Sequence, residues 1–367
     1  MIKRILYTLL FLQSINSFAQ SSLFSDSEFN REIQESIDSI YNFNFNSTGK
    51  IQKQLELRYP AHPFNELYFS IVLYWKQFPI TPNDKYHRPY VNALNMAIEK
   101  FDIANKKSPE DLEIIFFSLM SRLLLVQYYS DNDMSSKVIP YVSSTYKLVK
   151  RSFILKDSIM DFNFPSGIYN YYREYYPRSY PIYKPIAYFF PKGDAEEGLK
   201  QLKKNSEKGI FLESEARFFL VYINFYFEKD FRIALKNAKQ LVKKSPDNLI
   251  YLSYEIQILL SLEKYNKAHE LIPKLRNSFH ENEFFIILAD LFEAVIIEKK
   301  NKNYKKAELM YWDVIEKIDK YGQFANSYKS ISYFGLSRIY TEKDKKRSME
   351  FREMAIELTP HPHINFD

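Results

Sequence analysis

The feature that most constrains this chain is an echo. The stretch Glu215–Pro246 is answered by Leu249–His280. Within them, Glu228-Lys229-Asp230-Phe231-Arg232-Ile233-Ala234 aligns with Leu262-Glu263-Lys264-Tyr265-Asn266-Lys267-Ala268. Phe231 answers Tyr265 at one fixed spacing, and Ala234 answers Ala268 at the same spacing. That spacing is the 34-residue period of a helix–turn–helix repeat, in which an aromatic precedes a small side chain by three positions. One such unit cannot bury its apolar face alone, so copies must stack. Pro246 follows Lys243-Lys244-Ser245, a helix end: proline cannot continue the helix, and the lysines suit its negative terminus.

Further copies appear on either side. Ala97, Phe101, Ala104 and Pro109 occupy second-helix positions, and Tyr68, Ile71, Val72 and Trp75 first-helix positions. Lys106-Lys107-Ser108-Pro109 recurs as Lys243-Lys244-Ser245-Pro246, four periods and one position further on. Tyr304, Ala307 and Tyr311 form a later second helix. Ala307 follows Ala268 by one period and five extra positions, which places an insertion of five in Glu298–Asn303. Tyr333, Leu336, Ser337 and Tyr340, then Ser348, Ala355 and Pro360, make a last pair. With these positions the chain resembles the tetratricopeptide-repeat (TPR) superfamily. Gly193-Asp194, Gly198-Leu199 and Glu215-Ala216-Arg217-Phe218 resemble its signal-bearing bacterial members. The register is worn: Tyr222, Glu255 and Leu241 stand where that pattern prefers other residues. The resemblance implies an all-α fold, a right-handed antiparallel helix-pair solenoid. In it, Ala234 and Ala268 sit where helices cross, Phe231 and Tyr265 plug the turns, and first helices line a concave face.

Taken in order, residues 1–19 read as a signal peptide. Lys3 and Arg4 precede the apolar stretch Ile5–Leu12, and Ser17-Phe18-Ala19 resembles a small-x-small cleavage site. The apolar run is too short to span a bilayer, so no transmembrane segment is expected after its removal. Residues 20–160 read as degenerate helix pairs: Ser25–Phe45 with Lys50–Tyr59, Asn65–Phe78 with a helix from Tyr90, and Glu110–Tyr129 with Ser135–Phe153. Residues 161–194, with Pro165, Pro177, Pro181, Pro185 and Pro191, read as an irregular aromatic connector of short helices and bends. Asp194 caps a helix to Lys208, carrying Glu196 and Glu197 in its first turn. Residues 195–360 hold the clearer repeats, and 361–367 form a tail expected to fray.

Composition removes whole classes of chemistry. With no cysteine there is no disulfide, thiolate nucleophile, cysteine–zinc site or lipoprotein lipid attachment. Only seven glycines stand in 367 residues, and no Gly-x4-Gly-Lys-Ser/Thr, His-Glu-x-x-His or Gly-x-Ser-x-Gly motif occurs. Without Lys3 and Arg4 the chain carries 49 basic and 45 acidic side chains, too even a balance to imply nucleic acid. Asp131 and Asp133 suggest calcium, but no loop glycine or distal glutamate follows at EF-hand spacing, so a turn is expected. His361-Pro362-His363 offers two metal ligands and no fixed third. No enzyme, cofactor or metal is therefore expected.

The functional expectation is a protein-binding scaffold exported to the bacterial periplasm or cell surface, with association at the outer membrane a further expectation. Its partner is another protein or a peptide segment. Contact residues are expected from first helices, such as Tyr222, Tyr226, Tyr254 and Gln257. The alternative is a glycan- or small-ligand-binding solenoid using Tyr171, Tyr172, Arg173 and Tyr176 as an aromatic-and-arginine platform.

Overall fold

A computed structural model of the chain describes residues 23–179, 184, 188, 190–277 and 282–366. The segment read as a signal peptide lies outside the described residues, as does much of the connector between 180 and 189. Among the described residues all regular structure is helical. In chain order the helices are α1 (Ser27–Tyr41), α2 (Thr48–Arg58), α3 (Phe64–Lys76), α4 (His87–Lys107), α5 (Leu112–Asp131), α6 (Ile139–Leu155), α7 (Asn163–Ser179) and α8 (Ala195–Lys208). Then follow α9 (Glu213–Tyr226), α10 (Phe231–Lys244), α11 (Leu249–Ser261), α12 (Tyr265–Arg276), α13 (Glu283–Lys299), α14 (Tyr304–Ile318), α15 (Asn326–Tyr340) and α16 (Lys345–Glu357). Each packs on its neighbours in sequence, so the chain is an all-α solenoid of helix pairs.

The local causes are those of any helix array. Side chains of Asp26, Asp111, Asp194, Asp230, Asn248, Asn282, Asn303 and Asp344 accept from backbone N–H groups of the first turns that follow them. Ala97, Ala234, Ala268, Ala307 and Ala355, the repeat's small positions, are fully buried where paired helices cross. The turns from α1, α5, α9, α11 and α13 each contain a left-handed residue: Phe43, Asp133, Lys229, Glu263 and Lys302, none of them glycine. All five turns close with a bond from an N–H to the carbonyl five residues back: Asn44 to Ser39, Met134 to Tyr129, Glu228 to Ile223, Lys264 to Leu259 and Asn301 to Ile296. Helix α13 is longer than α11, so most of the insertion expected at Glu298–Asn303 extends a helix instead of a turn. About one added turn leaves the apolar face in phase.

Three expectations are corrected. First, residues 163–179 form one continuous helix, with Pro177 in its last turn. It pairs closely with α8 because glycine meets glycine: a Cβ on Gly167 would lie 2.9 Å from the Gly198 carbonyl oxygen. Second, the tail does not fray. His361, Ile364 and Phe366 are buried, and the Arg338 guanidinium donates to the Asn365 carbonyl. Third, the first helices of the second half do not present an open face along their whole length, because the first half docks on them. Trp75 packs edge-on against Tyr251 at 6.3 Å, Phe78 stacks on Phe285 at 5.9 Å, and Phe24 stacks on Phe211 at 5.8 Å. Asn248 and Asn282 each cap their own helix through Oδ1 and donate through Nδ2 to the first half. The acceptors are the carbonyls of Tyr41 (2.6 Å) and Phe78 (2.6 Å).

Helix α5 is long and apolar enough to cross a membrane by length and composition, yet 72% of that stretch is buried within the fold. Its Arg122 is wholly covered and forms a bidentate pair with Asp102 at 2.6 and 2.7 Å.

Candidate functional site: a tyrosine face

With the N-terminal ends of α9 and α11 covered by the first half, their C-terminal ends remain. Tyr222 and Tyr226 stand one turn apart on α9, with ring centroids 4.7 Å apart. Tyr254 of α11 meets Tyr226 edge-on at 6.3 Å and Phe218 at 5.1 Å. From the other side α7 brings Tyr172 and Tyr176, stacked at 5.3 Å, and Tyr175. The hub is Phe227, at the end of α9. Its ring lies 5.5 Å from Tyr172, 4.8 Å from Tyr175 and 5.8 Å from Tyr222. Tyrosines from both groups of candidate residues thus join one aromatic cluster around Phe227.

Within it the candidates divide by exposure. Tyr172, Tyr222 and Tyr254 are half-buried, and Tyr176 is 38% exposed. Tyr226 and Gln257 are buried, with the Tyr226 hydroxyl 3.5 Å from the Gln257 Oε1. Tyr171 is fully buried and donates to the Glu228 carboxylate, so it packs the interior and is no stacking platform. Arg173 donates to the Phe190 carbonyl at 2.8 Å. Tyr171 lies beneath the outward-facing rings, stacked on Tyr175 at 5.7 Å. Residues 171 and 172 point about 100° apart on α7, and here Tyr171 takes the inner direction.

The electrostatics of the face are those of neutral phenols. Burial, and then the neighbouring phenol of Tyr328, hold the Tyr226 hydroxyl well above its ordinary range. Burial and then Tyr226 do the same to Tyr254, and burial and then Tyr222 to Tyr172. None of these phenols ionises near neutral pH, so the face offers O–H donors and ring surfaces without charge of its own. Planar groups, C–H edges and hydrogen-bond acceptors suit it.

The C-terminal tail reaches the same place. The His361 ring lies 4.7 Å from Tyr226 and 5.0 Å from Phe227, close to edge-on against the latter. Burial pushes its pKa down to about 4, with His363 adding to the effect. Among the described residues no group of three or more His, Asp or Glu is placed to hold a metal. Sequence reasoning does not single out Phe227, Tyr175 or Tyr328, and it weighs His361 only as a metal ligand. The aromatic run Phe225-Tyr226-Phe227 is a visible signal for the first of these. Nothing local announces the seat of His361, whose partners lie more than a hundred residues away.

Three buried titratable groups elsewhere, His62, Glu113 and Asp161, are explained by what they hold. The Phe64 N–H donates to His62 Nδ1 at 3.2 Å, which leaves Nε2 to donate to Glu113 at 2.8 Å. The other Glu113 oxygen accepts from the Phe24 N–H at 2.7 Å. Asp161, fully buried, accepts from the N–H groups of Ile210, Phe211 and Leu212 and so fixes the entry to α9. No protein-family model matches this chain, and no curated protein matches it in sequence.

Proposed function

We propose that the chain is an exported, non-enzymatic binding scaffold of the TPR type that holds a segment of another protein against the tyrosine face. The observation that carries this reading is the face itself. Half-buried rings from α7, α9 and α11 converge on Phe227 and present uncharged, hydrogen-bonding aromatic surface. The repeat register supports the TPR type: α11 and α13 begin one repeat period apart, and the small positions are alanines with no exposure. A protein segment is favoured over a sugar because Tyr171 packs inside and Arg173 is engaged by the backbone, which dismantles the compact ring-and-guanidinium platform a sugar would use. The amino-terminal signal pattern supports a location in the periplasm or at the cell surface of a bacterium.

The test is affinity purification of the mature chain from its native envelope, with bound proteins and glycans both identified, beside a Tyr172→Ala/Tyr222→Ala double variant. A protein retained by the unmodified chain and lost at least tenfold by the variant, with helix content unchanged, is expected. Retention that the double variant leaves intact removes the tyrosine face as the site; retained glycan in place of protein restores the alternative.

A further inference from the structure

The last residues of the chain are held more firmly than a terminus needs. Three points fix them. The His361 ring lies against Tyr226 and Phe227, and Ile364 and Phe366 are buried at 5% and 6% exposure. The Arg338 guanidinium grips the Asn365 carbonyl. That arginine is itself locked: it donates to both oxygens of Glu298, at 2.6 and 2.8 Å, and Glu298 also accepts from Tyr311 at 2.7 Å. The grip on a main-chain carbonyl reads no side chain; the tail presents that carbonyl just after a turn in which the Ile364 N–H donates to the His361 carbonyl at 3.0 Å. A ring seated against Phe227, with apolar anchors three and five residues on, supplies the selectivity.

The fit of the tail is also incomplete. The His363 Nε2 is buried without a hydrogen-bond partner, a cost that a better-matched segment avoids. Next to the seat of His361, the rings of Tyr172 and Tyr222 that meet Phe227 remain only half covered.

We propose that the strip formed by Phe225–Phe227 and Arg338 is a recognition site for a turn-forming peptide with a planar ring followed by apolar anchors, and that residues 361–366 occupy it in cis. This rests on the scaffold reading above and names the chemistry of its partner. Because Leu358–Pro360 is a short tether from α16, the tail competes at high effective concentration, on the order of millimolar for a short flexible link. The site is therefore closed to weak ligands and opens to a segment that outbids the tail or displaces it.

The probe is a fluorescent peptide of residues 358–367, titrated by anisotropy against the full chain and against a chain ending at Pro360. Saturable binding to the shortened chain, at least tenfold tighter than to the full chain, is expected. Phe227→Ala in the shortened chain should abolish it. Equal binding to both chains, or none to a shortened chain that keeps its helix content, overturns the proposal. If the shortened chain loses helix content, His361→Ala in the full chain takes its place. Peptide binding must then rise over the unmodified chain, and no rise is equally fatal. Running the envelope purification with both chains separates the two readings. A partner held equally by both leaves the scaffold standing and removes the cis competitor.

Discussion

At the scale of single residues, the most informative side chain is His361. It is neutral in its seat because burial disfavours a charge there, with His363 beside it adding to the effect; burial and then Lys229 lower the pKa of His363 in turn. An undocked tail carries a histidine of ordinary pKa, 6.5, against about 4 when docked. Between those values the undocked state binds more protons, so docking is at full strength above pH 6.5 and weakens as the pH falls toward 4. A nuclear magnetic resonance titration of the His361 imidazole should show a midpoint far below 6.5, with the resonances of Phe227 moving in step. A midpoint at 6.5 would mean that the ring is not held. Sequence could not reveal this: His361-Pro362-His363 looks like any exposed polar end, and only the return of the chain onto α9 gives it neighbours.

At the scale of helices, much of the structure was legible. Acidic and amide caps, the alanine at each crossing and the helix-ending Lys-Lys-Ser-Pro phrases are short-range signals, and each marks a real boundary or contact. What misled was proline and glycine read out of context. Pro177 suggested a break, yet it ends a helix that glycine pairing holds to α8. The turns carried no glycine signal at all, since Lys229, Glu263 and Lys302 adopt the left-handed conformation themselves. The candidate site was half legible in the same way. The first-helix register pointed to Tyr222 and Tyr254, and the aromatic run to Tyr172 and Tyr176, but neither showed that α7 and α9 share one face through Phe227. Two glycine substitutions should separate propensity from packing. Alanine favours a helix over glycine by about 1 kcal/mol. Gly49→Ala on α2, where nothing lies within 4 Å of the new methyl, should gain part of that. At Gly335 the methyl would stand 2.3 Å from the Tyr311 ring, which is buried and tied to Glu298. Overpacking costs roughly 1–3 kcal/mol, so Gly335→Ala should lower stability in a urea titration. Equal gains at both sites would show that α14 and α15 are loosely packed.

At the scale of the whole molecule, the contacts that close the array are long-range and invisible to periodicity. Asn248 and Asn282 stand one repeat period apart and perform the same double task, capping a helix and clasping a carbonyl of the first half. Asn248→Ser keeps a capping oxygen and removes the clasp, leaving the buried Tyr41 carbonyl without that donor. About 1–3 kcal/mol of stability should be lost. Asn303→Ser alters a cap that serves the Lys306 N–H, exchanging one good capping oxygen for another, and should cost only a few tenths. Comparable losses for the two would show that the clasp contributes nothing.

The paired clasps also change how the molecule should come apart. A linear stack of repeats has two ends from which it can fray unit by unit. Here helices near the start of the first half are clasped to the starts of α11 and α13, so the pairs between the clasped points cannot peel away before the seam opens. Under tension applied between residues 23 and 299, the ends of the clasped stretch, such a chain should hold until the seam yields and then give way in one large step.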